Sequence, residues 1–191
     1  MFHFFAFINR MKYINRWGLM RNIANENIAE HSHQTAILAH ALASIDKLKF
    51  NMDVNPEKAA IYAIFHDAPE IITGDMPTPV KYFNKEIQDS YKIIEENAKD
   101  NLLQKLPEYL KNTYSNILSA ENTKEWQYVK AADTLSAYIK CLEELKAGNN
   151  EFLSAKITIE KKLQTYKMKS LDIFMQDFIK SYSLTLDEQE K

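Results

Sequence analysis

Apolar residues recur every three to four positions in this chain, in runs long enough for several helical turns. From Asn84 to Leu106, one stripe collects Ile87, Tyr91, Ile94, Ala98, Leu102 and Leu106, with lysines and glutamates on the other face. That is the pattern of a helix laid against a core. Thr123 to Ala147 reads as another long helix, closed by Gly148 where a left-handed residue ends one. Phe4, Phe7, Ile8 and Met11 predict a helix over residues 3 to 13, packed into the core. Ile14 to Ala29, with Arg16-Trp17, Gly18 and Asn22, Asn25 and Asn27, reads as loop or broken helix. Glu30 to Leu48 is strongly helical, and Asn55-Pro56 starts a helix that runs to about Asp67. Pro107 marks a break before Glu108 to Leu118. Two more helices are expected at roughly 151 to 167 and 170 to 182, the second turning Leu171, Phe174 and Phe178 inward. The tail from Ser183 is polar and expected to be loose. With only three glycines and five prolines, and no run that reads as a strand, the expectation is an all-α, single-domain helical bundle spanning residues 1–191.

The 191 residues can bury a sizeable core. A net charge of -2 and scattered basic residues argue against a nucleic-acid polymer as partner. The apolar N-terminus, MFHFFAFINRMKY, lacks a basic leader region and is too short to span a bilayer. Cys141 is the one cysteine, so no internal disulfide can form. A cytoplasmic protein, with Cys141 as a buried structural thiol, is the expectation.

Chemistry concentrates between Ile61 and Lys81. An apolar helical run ends on the adjacent pair His66-Asp67, Glu70 follows within one turn, and Gly74-Asp75 with Pro77 and Pro79 shape a loop. His and Asp are poor helix formers and costly to bury, and a metal ion satisfies an imidazole and a carboxylate together. Pro69 disfavours helical geometry at Ala68, so the axis is expected to break at the His-Asp pair. Asp67 and Glu70 also have the spacing of a capping box, which is the blander reading.

Further ligands have to come from elsewhere. His31 and His33 are two residues apart, about 200° around a helix, and cannot easily serve one ion. His33 and His40 share a face that is not the face of His31, and read as interhelical or exposed. Asp133 sits mid-helix among small and apolar neighbours, with Lys130 as a possible i−3 partner.

With His31, His66-Asp67 and Asp133 in view, the chain resembles the HD-domain metal-dependent phosphohydrolases, whose signature is a His, an adjacent His-Asp and a distant Asp. Arg16-Trp17, NIAEHS at 27–32, His66 to Glu70, TGDMPTPVKYFN at 73–84 and CLEELKAGNNEF at 141–152 are similar to the bacterial 5′-deoxynucleotidase branch. The resemblance implies hydrolysis of deoxyribonucleoside 5′-monophosphates and a homodimer. It implies one divalent ion (Co²⁺, Mn²⁺ or Zn²⁺) on His31, His66, Asp67 and Asp133. It also implies that Arg16 and Trp17 face the nucleotide, and that Glu70 and the loop Asp75, Met76, Pro77 and Thr78 complete the pocket beside His31, Asp67 and Asp133. On that basis Arg16 takes phosphate oxygens with its planar fork. Glu70 serves as general acid or proton shuttle, and Asp75 orients water or bonds the sugar. Trp17 lies against C2′ and penalises a 2′-hydroxyl. Two other readings stand beside this one: an HD-type hydrolase of triphosphates or alarmones, and a non-enzymatic metal-stabilised regulatory protein.

Overall fold

A computed structural model describes residues 1–190. In chain order the helices are α1 (Phe4–Ile8), α2 (Ile28–Phe50), α3 (Pro56–Phe65), α4 (Glu70–Thr73), α5 (Thr78–Lys81), α6 (Lys85–Leu103), α7 (Glu108–Leu118), α8 (Trp126–Lys146), α9 (Leu153–Thr165), α10 (Lys169–Asp177) and α11 (Leu186–Gln189). Short 3-10 turns join several of them, at Asn9–Tyr13, Ala120–Asn122, Asn150–Phe152 and Ile179–Ser183. Among the described residues there is no strand, and one isolated antiparallel bridge links Asn15 to Asn27. The chain is all-α. No helix among the described residues is long and apolar enough to cross a membrane.

α2 is the central element and packs on α3, α8 and α10. Its inward face offers Ala36, Ala39 and Ala43, opposite Ala59 and Ala63 of α3 and Ala131 and Ala132 of α8. These small side chains let the helices approach closely, while Leu42, Leu135 and Ile139 fill the space between them. A second cluster joins Phe4, Ala68, Leu102, Leu106 and Leu118, with Phe65 and Tyr114 against it, so the N-terminal helix covers the far end of α3.

The helix starts follow from local chemistry. Asn27 caps α2, accepting from the Ala29 and Glu30 amides at 3.0 Å each, while Glu30 takes the Asn27 amide at 3.2 Å. This box starts α2 two residues before the Glu30 expected from periodicity. Asn55 caps α3 through the Lys58 amide at 2.8 Å, with Pro56 at the first position as anticipated. Gly148 lies past the end of α8 at φ +89°.

Three expectations are corrected. Ile94 is 48% exposed, although Tyr91, Ala98 and Leu102 of the same stripe are buried. α6 packs mainly on the short α4 and α5 and parts of α1 and α7, which cover a narrow strip, and Ile94 lies about 60° off it. Phe178 is also 48% exposed, because α10 ends at Asp177 and a 3-10 turn swings the ring outward. The tail is not loose throughout. Thr185 and Glu188 form a capping box that starts α11, and Lys146 holds the Leu184 carbonyl at 2.7 Å.

Candidate active site

α3 ends at Phe65 because the chain cannot continue helically through Pro69. Proline lacks the amide that would reach back one full turn, and the ladder shortens. The Ala68 amide bonds Phe65 O at 3.0 Å, and the Glu70 amide bonds Asp67 O at 2.9 Å. His66 and Asp67 are thereby displayed on a tight turn between α3 and α4. Asp67 and Glu70 do not form the capping box their spacing allowed. Pro69 is the N-cap of α4, and no side chain caps it.

His31 projects from the first turns of α2 and is fully buried. His33 and His40, on the same helix, are exposed and point away from this cluster. The Nε2 of His31 lies 3.1 Å from Asp133 Oδ1 and 3.5 Å from Asp67 Oδ2. The Nε2 of His66 lies 3.2 Å from the same Asp67 oxygen. Donor atoms of His31, His66 and Asp133 fall within 4.8 Å of one another, a group that can hold a metal ion. Asp133 does not pair with Lys130. Its side chain, 39% exposed, opens towards the two imidazoles and Arg16.

Hydrogen bonding decides how these groups present themselves. His66 Nδ1 lies 2.6 Å from the Ala63 carbonyl, which only accepts, so Nδ1 carries the proton. Nε2 is then a bare lone pair, buried and without a hydrogen-bond partner, facing a carboxylate oxygen that is also an acceptor. His31 repeats the arrangement. Ser136 Oγ donates to Gln34 Oε1 at 2.8 Å and accepts from His31 Nδ1 at 3.2 Å, turning Nε2 towards Asp67 and Asp133. Burial, with Arg16 nearby, holds His31 below its ordinary pKa, so the ring is neutral. Two imidazole lone pairs converge on carboxylate oxygens. A cation between them removes the repulsion, and the donor set fits a divalent metal.

Arg16 and Trp17 lie beside this cluster. Arg16 Nη2 is 4.0 Å from Asp133 Oδ1, while its Nη1 donates to Glu26 Oε2 at 3.0 Å. The Trp17 indole Nε1 donates to the same Glu26 oxygen at 2.9 Å, and its ring packs on Phe152 with centroids 5.2 Å apart. Trp17 adopts φ +60°, the left-handed region that bulky residues rarely occupy. Such backbone outliers collect at functional sites.

Glu70 heads α4, with Oε2 buried and unpartnered. Burial, then the Asp67 and Asp75 carboxylates, push its carboxyl up to about 10, so it holds its proton at neutral pH. Asp75 is raised by burial against the pull of Arg16. Gly74, at φ +73°, turns the chain from α4 into this loop. Met76 and Pro77 are half-buried there, whereas Thr78 is exposed. Lys81 is engaged with Glu95 at 2.8 Å. Cys141 is buried, as anticipated, and burial pushes its thiol up to about 12.

Sequence reasoning missed Glu26, Ser136 and Gln34. Glu26 adjoins the NIAEHS run and Ser136 lies one turn from Asp133. Neither position carries a spacing signal, because their partners lie on other elements.

The profile of the family described as 5′-deoxynucleotidase YfbR-like matches residues 3–182. A 5′-deoxynucleotidase of Enterobacter sp. (strain 638) is 51% identical over 97% of this chain and 94% of its own length. The 5′-deoxynucleotidase YfbR of Escherichia coli is 50% identical over the same shares. Among solved structures, an HD-domain phosphohydrolase from Listeria innocua superposes with a TM-score of 0.83 at 20% identity, covering 99% of this chain and 92% of the other. A cyanophage S-2L HD phosphohydrolase, bound to dA and one catalytic Zn²⁺ ion, superposes at 0.62 and 21% identity, covering 94% and 96%. These likenesses establish the HD-domain fold, and the extent of the sequence match establishes more: the chain belongs to the YfbR-like family of 5′-deoxynucleotidases.

Proposed function

We propose that this protein hydrolyses deoxyribonucleoside 5′-monophosphates to deoxyribonucleosides and phosphate, discriminating against ribonucleotides. The observation that carries the reading is the convergence of Arg16 on the His-Asp cluster, with Asp133 Oδ1 facing both His31 and the guanidinium. A phosphate beside that carboxylate meets a planar cationic fork on one side and the imidazole-carboxylate cluster on the other. Relatives named 5′-deoxynucleotidase, half identical over nearly the whole chain, support the same activity. The local cations, Arg16 with Lys81 already committed to Glu95, suit one phosphate better than three.

His31, His66, Asp67 and Asp133 would hold the metal. Two imidazoles and two carboxylates suit Co²⁺, Mn²⁺ or Zn²⁺. A bound divalent ion supplies Lewis acidity, lowering the pKa of water and drawing charge from the phosphoryl group. Arg16, fixed by Glu26, orients phosphate oxygens through paired N–H donors. Hydrolysis forms a bond from the water oxygen to phosphorus and breaks the bond from phosphorus to O5′, which must gain a proton. Glu70, protonated at neutral pH, is the general acid towards O5′ and recovers its proton from the attacking water. Asp75 hydrogen-bonds the water or the sugar, and Met76, Pro77 and Thr78 wall the pocket beside it. The Trp17 indole packs where a 2′-hydroxyl would find neither room nor partner. Assembly as a homodimer in the cytoplasm completes the proposal, and sedimentation velocity and cell fractionation test those two parts.

The deciding experiment is phosphate release from chelator-treated protein with Co²⁺, Mn²⁺, Zn²⁺ or Mg²⁺ restored, on dAMP against AMP and dGMP against GMP, beside dATP. Metal-dependent turnover of the deoxy monophosphates alone is expected. Equal turnover of ribo and deoxy substrates overturns the sugar selectivity. Silence with every metal, in protein that still binds one, overturns the activity.

A further inference from the structure

We infer that Glu26 is the positioning residue that sets both the phosphate clamp and the sugar reader, through one carboxylate oxygen. The inference rests on the reading that Arg16 and Trp17 face the nucleotide. Glu26 Oε2 accepts from Arg16 Nη1 at 3.0 Å and from Trp17 Nε1 at 2.9 Å. The Glu26 side chain is 11% exposed. Its backbone is engaged as well, since the Arg16 amide donates to Glu26 O at 2.9 Å and the neighbouring Ile28 amide donates to Ile14 O at 2.9 Å. Residues 14–17 are thus clamped along 26–28 by main chain and side chain together. That clamp is what a tryptophan at φ +60° requires, because an unfavourable backbone persists only where its surroundings over-determine it. The guanidinium is held between Glu26 on one nitrogen and Asp133 on the other, so Glu26 sets its distance from the His-Asp cluster.

Glu26 is in turn held from the far end of α8. Buried Glu144 accepts from the Ile23 amide at 2.9 Å, the Ala24 amide at 3.2 Å, Asn149 Nδ2 at 2.8 Å and Lys140 Nζ at 2.6 Å. Lys140 also donates to the Ala24 carbonyl, and Asn149 to the Arg21 carbonyl. The loop leading to Glu26 is therefore pinned through backbone groups of Arg21, Ile23 and Ala24. Phe152, fully buried, supports the Trp17 ring. The CLEELKAGNNEF run, through Glu144, Asn149 and Phe152, is the base of this clamp.

The test is Glu26→Gln, which keeps shape and removes charge, read by the ratio of dAMP to AMP kcat/KM and by the indole N–H resonances of ¹⁵N-tryptophan protein. Trp126 is the second tryptophan and serves as internal control. The expected result is a moved Trp17 resonance with faster exchange, an unmoved Trp126 resonance, and a deoxy-to-ribo ratio reduced about tenfold. In a Trp17→Phe background, which already lacks the donor, Glu26→Gln should not reduce the ratio further. A ratio that survives Glu26→Gln while Trp17→Ala abolishes it overturns the inference. If Trp17→Ala leaves the ratio intact, the sugar reading has failed instead, and the indole resonance decides for Glu26: unmoved, it overturns the inference. Should Glu26→Gln not fold, Trp17→Phe removes the same bond from the donor side, and an unchanged ratio there overturns the inference.

Discussion

Glu144→Gln is expected to destabilise this protein far more than its size suggests. Glu144 is 2% exposed and gathers four donors, two of them backbone amides of the loop at residues 23 and 24. A glutamine can face those donors with one oxygen only, and its amide group sets donor against donor. Lys140, whose side chain is 5% exposed, loses its counter-charge. Breaking a buried pair from one side costs about 3–5 kcal/mol. The same contacts bear on the acidity of Glu144. Burial raises its pKa, but the bonds from Lys140, Asn149 and the Ile23 and Ala24 amides outweigh that and hold it down at about 2, from 4.5. A shift of that size corresponds to about 3 kcal/mol. Because the folded value is depressed, this stabilisation is complete above pH 4.5 and disappears as pH falls through 2. Urea denaturation at pH 7 and along the acid limb, wild type against Glu144→Gln, measures both. Pairing the change with Lys140→Met should recover part of the loss by removing the stranded charge. A loss below about 1 kcal/mol at pH 7, or acid limbs that run parallel, would refute the reasoning.

The other expectations concern the site. Glu70→Gln should lower turnover by about 10²-fold or more with metal content intact; unchanged turnover removes Glu70 from the mechanism. In metal-free protein, burial and the neighbouring carboxylates raise Glu70 from 4.5 to about 10. The folded state then binds the proton that the unfolded state releases, so stability should fall as pH rises from 4.5 towards 10, by up to ~1.4 kcal/mol per pH unit. Denaturation curves of Glu70→Gln should be flatter over that range. Trp17→Ala should admit AMP and dGMP's ribose counterpart, measured as kcat/KM, with little change for dAMP. Ser136→Ala releases His31 Nδ1 and should weaken metal binding about 10–100-fold by competition titration, and an unchanged affinity would show that the Ser136 contact does not orient the ring.

The helices were legible because each rests on residues adjacent in sequence. Asn55 with Pro56 and Gly148 announce their ends, and the alanine-rich face of α2 is written in its own period. The break at His66-Asp67 followed from Pro69, a covalent fact about one residue. Ile94 and Phe178 were misjudged for the complementary reason: periodicity shows that a face is apolar, not how wide a neighbour will cover it.

The candidate site divides along the same line. Sequence by itself determined which residue types are available, that His31 and His33 point apart on one helix, and that His66-Asp67 stand at a helix end. Tertiary structure alone decided the rest. His31 and Ser136 are 105 residues apart, yet their contact orients the ring. Arg16 and Trp17 meet Glu26 only because the bridge at Asn15 and Asn27 folds two irregular segments together, and Glu144 reaches that loop from the end of α8. Helical geometry is set by bonds three or four residues away. The direction of a lone pair, and the partner of a buried charge, are set by whatever the packed core brings against them.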